Sequence, residues 1–153
     1  MIEIASIHEF DRELQIPNIW QLELDVSIGA RGYIIVLQIQ EMSNIYFTHG
    51  RVVGVALLRM ICDFIKLMNI EALSLYRIES DSLAVLIRET SSAKPLGISE
   101  AIHARFNSGW SIVSIHGQIT IATGVNVCAI AIDNERTVCR KHYACNRCRQ
   151  ECR

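Results

Sequence analysis

This sequence predicts an α/β plan of the α+β kind: a central, mostly antiparallel five-stranded sheet flanked by helices. Three observations lead there: a gap-free β-branched run at 33–37, two pairs of short apolar runs joined by turn residues, and helix-period stretches between them. The lone strand and the two hairpins supply the five strands, and the helices alternate with them along the chain.

Residues 16–26 carry Ile16, Ile19, Trp20, Leu22 and Leu24 around Pro17, a residue suited to the first turn of a helix. After a turn at 29–32, Tyr33-Ile34-Ile35-Val36-Leu37 has no polar gap and reads as a buried central strand. Residues 50–68 give the main core helix, with Leu57, Leu58, Ile61, Phe64, Ile65 and Met68 facing inward and Arg59, Asp63 and Lys66 on a polar stripe. The runs 72–76 and 83–87 flank Glu79-Ser80-Asp81-Ser82 as a hairpin whose turn sits at a sheet edge. A further helix at 98–106 follows Pro95 and Gly97 and is ended by Asn107-Ser108-Gly109. The runs 110–115 and 119–131 alternate around His116-Gly117 as a second hairpin, and a helix from about Asn134 closes the chain.

Of the 153 residues, 50% are hydrophobic and 20% charged, which suits one ordinary domain with a real core. No linker, repeat or low-complexity segment intervenes, so residues 1–153 are expected to form a single domain. The longest apolar run, 52–61, is broken by Arg59 and falls short of the roughly 20 residues that span a bilayer. Met1-Ile2-Glu3 opens without a basic or hydrophobic signal region, so the cytoplasm is the expected location.

The net charge is −1, yet Arg136, Arg140, Lys141, Arg147, Arg149 and Arg153 crowd the last stretch against Glu135 and Glu151. Cations favour the C-terminal end of a helix dipole, so this reads as a solvated helix face, with no nucleic-acid partner expected. Cys139, Cys145, Cys148 and Cys152 invite a zinc reading. Because Cys145, Cys148 and Cys152 stand at i, i+3 and i+7 and no C-x-x-C knuckle faces them, a packed helix face is the simpler account, and neither metal nor disulfide is expected. His49 with Asp81 could make an acid/base pair, but no nucleophile motif accompanies them and a surface histidine suffices.

Three stretches follow one another in order: Asp11-Arg12-Glu13-Leu14-Gln15-Ile16-Pro17-Asn18, then Gly50-Arg51-Val52-Val53-Gly54-Val55-Ala56-Leu57-Leu58, then Leu75-Tyr76-Arg77-Ile78-Glu79-Ser80-Asp81-Ser82-Leu83-Ala84-Val85-Leu86. They resemble the D-x-L-T-G-L-P-N opening, the G-H-x-x-G-D-x-x-L helix start and the Y-R-x-G-G-D-E-F-x-x-L signature hairpin of GGDEF domains. Phe106, Trp110, Gly117 and Gly124 are similar to the late hairpin of members that precede an EAL phosphodiesterase domain. Ala144, Cys148, Arg149, Cys152 and Arg153 fall where the family has A-x-x-x-A-K-x-x-G-R. The resemblance covers nearly the whole chain and implies the nucleotidyl-cyclase-like fold.

Active members join two GTP molecules held by a pair of domains, with divalent metals alongside. The resemblance places the metal-holding aspartates on Gln38 and Gln40, and the guanine-reading Asn and Asp on Tyr46 and Val55. A neutral amide is a poor exchange for a carboxylate on a hard cation, and each lost base contact costs about 1–3 kcal/mol. The phosphate-cradling glycines fall on Glu79 and Ser80, while Ser82 and Leu83 replace the signature's Glu and Phe. Asp81 is the one signature carboxylate that remains, and the R-x-x-D product-inhibition motif falls on residues 70–73 without a match. Tyr46 and Phe47 are expected to fill the emptied pocket rather than form a new platform for a base.

The resemblance therefore implies a degenerate bacterial GGDEF domain without an intact catalytic residue, inhibitory site, metal or cofactor. Its expected role is regulatory or docking in cyclic di-GMP signalling, as part of a longer GGDEF–EAL protein or beside a separate EAL phosphodiesterase domain. Homodimers or pairing with another GGDEF domain, and membrane attachment through flanking segments only, belong to the same expectation. Two alternatives stand beside it: an allosteric domain that binds GTP with Mg²⁺ but does not turn it over, and a residual diguanylate cyclase working through Asp81.

Overall fold

The computed structural model describes residues 10–29, 31–71, 73–88, 91, 93–132 and 137–139. Phe10–Asp11 (β1) and Ile16–Pro17 (β2) pair as a short antiparallel ribbon. Asn18 then starts helix α1, Ile19–Ser27, its side-chain oxygen accepting the Trp20 amide at 3.0 Å. Strand β3, Gly32–Ile39, leads to α2, Met42–His49, and α3, Arg51–Leu67. Gly50, at φ +88°, ends one helix and begins the next, a conformation that a Cβ would strain.

A hairpin follows, β4 (Leu73–Glu79) and β5 (Ser82–Ile87), then α4 (Ala93–Phe106) and a second hairpin, β6 (Trp110–Ser114) with β7 (Gly117–Ile121). Strands β8, Val125–Ile132, and β9, Thr137–Cys139, complete the described residues. The main sheet runs β4-β5-β3-β8-β9, every neighbour antiparallel. One face presents Ile35, Leu37, Leu83, Val85 and Val127 to Leu57, Leu58, Ile61 and Ile65 of α3 and Ile102 of α4, all fully or almost fully buried. The other presents Tyr76, Ala84, Leu86 and Ile132 to Leu22 of α1. Trp110 closes the larger core, edge-on to Phe106 at 5.1 Å between centroids. Burial pushes the Cys62 thiol up to about 12, which keeps it protonated.

The five-stranded antiparallel sheet agrees with the sequence reading, but its membership does not. Residues 119–131 do not form one strand: β7 pairs only with β6 in a separate ribbon, and β8 crosses to the main sheet beside β3. The strand is interrupted at residues 122–124, where Gly124 packs so closely on Gln40 that a Cβ there would lie 2.3 Å from Gln40 Oε1. Alternation continues through that break, so periodicity alone does not reveal it. The fifth strand is instead Thr137–Cys139, where the start of a terminal helix was expected; the rest of that stretch, with Cys145, Cys148 and Cys152, lies outside the described residues. Against the expectation of no disulfide, the buried Cys128 is disulfide-bonded.

Helix boundaries also shift. The first helix begins at Ile19 because Ile16–Pro17 pairs with β1, and α4 begins at Ala93 because Pro95 in a first turn needs no amide partner. Helix α2 was not expected, its residues being poor helix formers; only Met42 and Ile45 at i, i+3 bury it. A parallel bridge between Asn18 and Arg77 lays the entry to α1 along the outer strand β4.

Leu58 is 0% exposed and Leu67 82% exposed. Leu58→Ala is expected to lower stability by about 2–5 kcal/mol and Leu67→Ala by less than about 0.5 kcal/mol, both read from urea unfolding midpoints.

Candidate functional site

The signature hairpin turns at Ser80-Asp81, with Glu79 and Ser82 paired across it and a bulge between Arg77 and Glu79. Neither Ser80 nor Asp81 has a positive φ, so this backbone does not call for glycine. Asp81 Oδ1 accepts from Ser82 Oγ at 2.8 Å and its Oδ2 accepts from Gln38 Nε2 at 3.3 Å. Its carbonyl accepts the Ile39 amide at 2.9 Å, which ties the turn to the end of β3. Gln40 turns the other way and donates to Asn126 Oδ1 at 3.1 Å. Ser82 and Leu83 are buried, whereas Glu79 and Ser80 are exposed.

Beside the turn, the Arg77 guanidinium is 7% exposed and surrounded by acceptors. Nη1 donates to Glu13 Oε1 at 3.0 Å and to both Asp11 oxygens at 3.3 Å, while Nη2 reaches Tyr46 Oη at 3.3 Å and the Ser80 carbonyl at 3.4 Å. Glu13 also takes a bidentate pair from Arg51, at 2.6 and 2.9 Å. The Arg51 hydrogen bond, seconded by Arg77, holds the Glu13 carboxyl below its ordinary value, and Glu13 in turn raises Arg51. An open cavity of about 320 Å³ lies here, lined by Asp11, Glu13, Asn18, Arg51, Arg77 and Ser80 among others.

Tyr46 closes the inner side. Its ring lies on α3 at Gly54, where an added Cβ would come within 2.4 Å of Cδ1 and Cε1. Its hydroxyl donates to the Ser80 carbonyl at 3.1 Å, and the Arg51 guanidinium sits 5.4 Å from the ring centroid. Burial raises the phenol above its ordinary range, so it stays a neutral donor. Val55, one residue on, is buried in the core.

Gln38, Tyr46, Ser80, Asp81 and Ser82 therefore do converge, while Gln40 diverges toward Asn126. Phe47 is 91% exposed, so of the aromatic pair only Tyr46 enters the pocket. His49 lines a different groove, beside β6–β7, and does not join Asp81, whose oxygens are engaged by Ser82 and Gln38. Among the described residues no three His, Cys, Asp or Glu side chains come together as metal ligands, and no helix is long and apolar enough to cross a membrane. The cluster of Glu13, Arg51 and Arg77 was not foreseen. Its signal was two acids in the opening motif and two arginines in the later ones, Arg77 at the arginine of the signature pattern and Arg51 where the second pattern has His.

No protein-family model and no curated protein matches the sequence. Solved structures do. The GGDEF domain of YfiN (TpbB) from Pseudomonas aeruginosa is 21% identical over 78% of this chain and 73% of that one, with a TM-score of 0.68. The coiled coil and GGDEF domain of DgcB from Caulobacter crescentus, in complex with c-di-GMP, gives 0.69 at 14% identity over 84% and 71% of the two chains. The S helix-GGDEF-EAL structure of Vibrio cholerae LapD, bound to c-di-GMP, gives 0.63 at 16% identity, covering 88% of this chain and 31% of that one. The chain has the GGDEF-domain fold.

Gly54→Ala should force the Tyr46 ring out and cost about 1–3 kcal/mol by overpacking. Much of that loss should return in the Gly54→Ala, Tyr46→Ala double variant, as a double-mutant cycle would show. Because the folded Glu13 carboxyl titrates below 4.5, the unfolded chain takes up its proton first. The clamp's contribution is thus complete above about pH 4.5 and is lost as pH falls through the lower folded value. Glu13→Gln should flatten that segment of the acid-unfolding profile followed by circular dichroism.

Proposed function

We propose that this chain is a catalytically inactive GGDEF-type domain that serves as a regulatory or docking module in cyclic di-GMP signalling. The observation that carries the reading is Tyr46: an aromatic ring of the protein itself rests on Gly54, beneath the signature turn, and is tethered to Ser80 and Arg77. A ligand aimed at the same place would have to displace a ring already supplied with packing, a hydrogen bond and a neighbouring guanidinium.

The donor set at the turn supports the same reading. Mg²⁺ sites lean on one or two carboxylates, and the one signature carboxylate, Asp81, has both oxygens occupied by internal donors. Gln38 presents an amide nitrogen to it rather than an oxygen to a cation. The residues present do not fit a divalent metal. A role without chemistry leaves the fold to act by biasing a neighbour, the natural candidate being a linked or separate EAL phosphodiesterase domain. A coupling of about 1–3 kcal/mol would suffice.

A second reading has one observation in its favour: the open cavity beside Arg51 and Arg77 leaves room for part of a nucleotide. On that reading GTP is an allosteric signal without turnover.

Titration calorimetry with GTP and Mg²⁺ separates the two. No heat at millimolar nucleotide is expected, and no cyclic di-GMP should form on prolonged incubation. Heat without product would establish the second reading; product that disappears in Asp81→Ala would overturn both.

A further inference from the structure

Residues that pair directly across neighbouring strands point to the same side of a sheet. The register therefore sets Tyr76, Ala84, Val36 and Cys128 in one row of the second face, with Leu86, Ile34 and Ile130 in the next. Helix α1 covers this face over the outer strand β4, through Leu22, while α2, α3 and α4 bury their apolar residues against the opposite face. Cys128 lies on β8, three strands from β4, and belongs to neither apolar cluster. It is nevertheless 2% exposed and disulfide-bonded.

The partner of Cys128 follows by elimination. Cys62 is a free thiol on α3. Cys139 of β9 stands opposite Ile130 and is therefore diagonal to Cys128. Diagonal neighbours are about 7–8 Å apart, whereas the Cα atoms of a disulfide are about 4.4–6.8 Å apart. The cysteines that remain, Cys145, Cys148 and Cys152, all belong to the stretch 140–153, which lies outside the described residues.

We infer that residues 140–153 are fastened across the second face of the sheet by a disulfide to Cys128, and that a dithiol reductant releases them. Bonded sulfurs are about 2.05 Å apart, so the partner's backbone must come down on the face to which Cys128 points, beside the half-buried Val36 and Ile130. Release begins when a thiolate of the dithiol displaces one protein sulfur and forms a mixed disulfide. Its second thiol then displaces the first from that bond, and the dithiol leaves as a cyclic disulfide. Two electrons and two protons pass to the protein, which ends with two thiols. Arg140, Lys141, Arg147, Arg149 and Arg153 are thereby held or freed according to the redox state. This latch is independent of whether the signature pocket accepts a nucleotide.

The test uses the full chain. After free thiols are blocked, digestion and mass spectrometry without reductant should find Cys128 linked to a peptide that contains Cys145, Cys148 or Cys152. Brief trypsin treatment of the native protein then reads the release. Cleavage after Arg140, Lys141, Arg147 and Arg149 should become at least about tenfold faster once dithiothreitol is added, since proteolysis follows the open population. Cleavage after the exposed Arg31 should keep its rate, as the internal measure of an intact fold. Cys128→Val should be cut at the faster rate without reductant; were it not to fold, the unsubstituted chain with and without dithiothreitol decides alone. The latch is overturned if Cys128 is recovered as a free thiol, or linked to Cys139 or to another molecule. It is equally overturned if dithiothreitol leaves the cleavage rates unchanged, or raises that at Arg31 to the same extent.

Discussion

A guanidinium that is 7% exposed has to be neutralised where it stands, and the neighbourhood of Arg77 is organised around that requirement. Removing one partner from a buried ion pair costs about 3–5 kcal/mol, far more than a surface pair contributes. Asp11 and Glu13 come from the entry segment, Ser80 from the hairpin turn, and Tyr46 from α2. Three pieces of chain distant in sequence are thereby held at one point. Arg51 answers the second carboxylate and places its cation over the tyrosine, so the ring settles on Gly54 as part of the same arrangement.

Much of this was legible in the residues. The apolar run at 33–37 and the helix-period pattern of 50–68 named the central strand and the core helix, because burial on two faces and on one face leave different periods. The turn at 79–82 was readable from its polar letters, and Gln38, Tyr46, Ser80 and Asp81 do meet there. What periodicity could not reveal was which strand pairs with which: 119–131 keeps its alternation through Gly124 although the chain changes sheets at that point. Helix α2 escaped for the complementary reason, since tertiary burial of Met42 and Ile45 holds residues that helix propensity would not. The Arg77 cluster stayed hidden because charges far apart along the chain show no mutual register until the fold brings them together.

On the proposed reading, the pocket has changed from a place for a ligand into a joint between elements. Gly54 makes room for the Tyr46 side chain. Gln38 and Gln40 donate their amides to Asp81 and Asn126, which ties the strand ends to their neighbours.

The bridge between Asn18 and Arg77 has a further effect. Strand β4 is the outermost member of the sheet on its side, and bare amides and carbonyls on such a border recruit foreign chains. Here the protein's own leading segment meets that border at the Asn18–Arg77 bridge. Unwanted sheet growth and fibril seeding are thus discouraged at this rim by the residues that also deliver Asp11 and Glu13 to the arginine. Edge protection and internal ion pairing are in that sense served by one stretch of backbone.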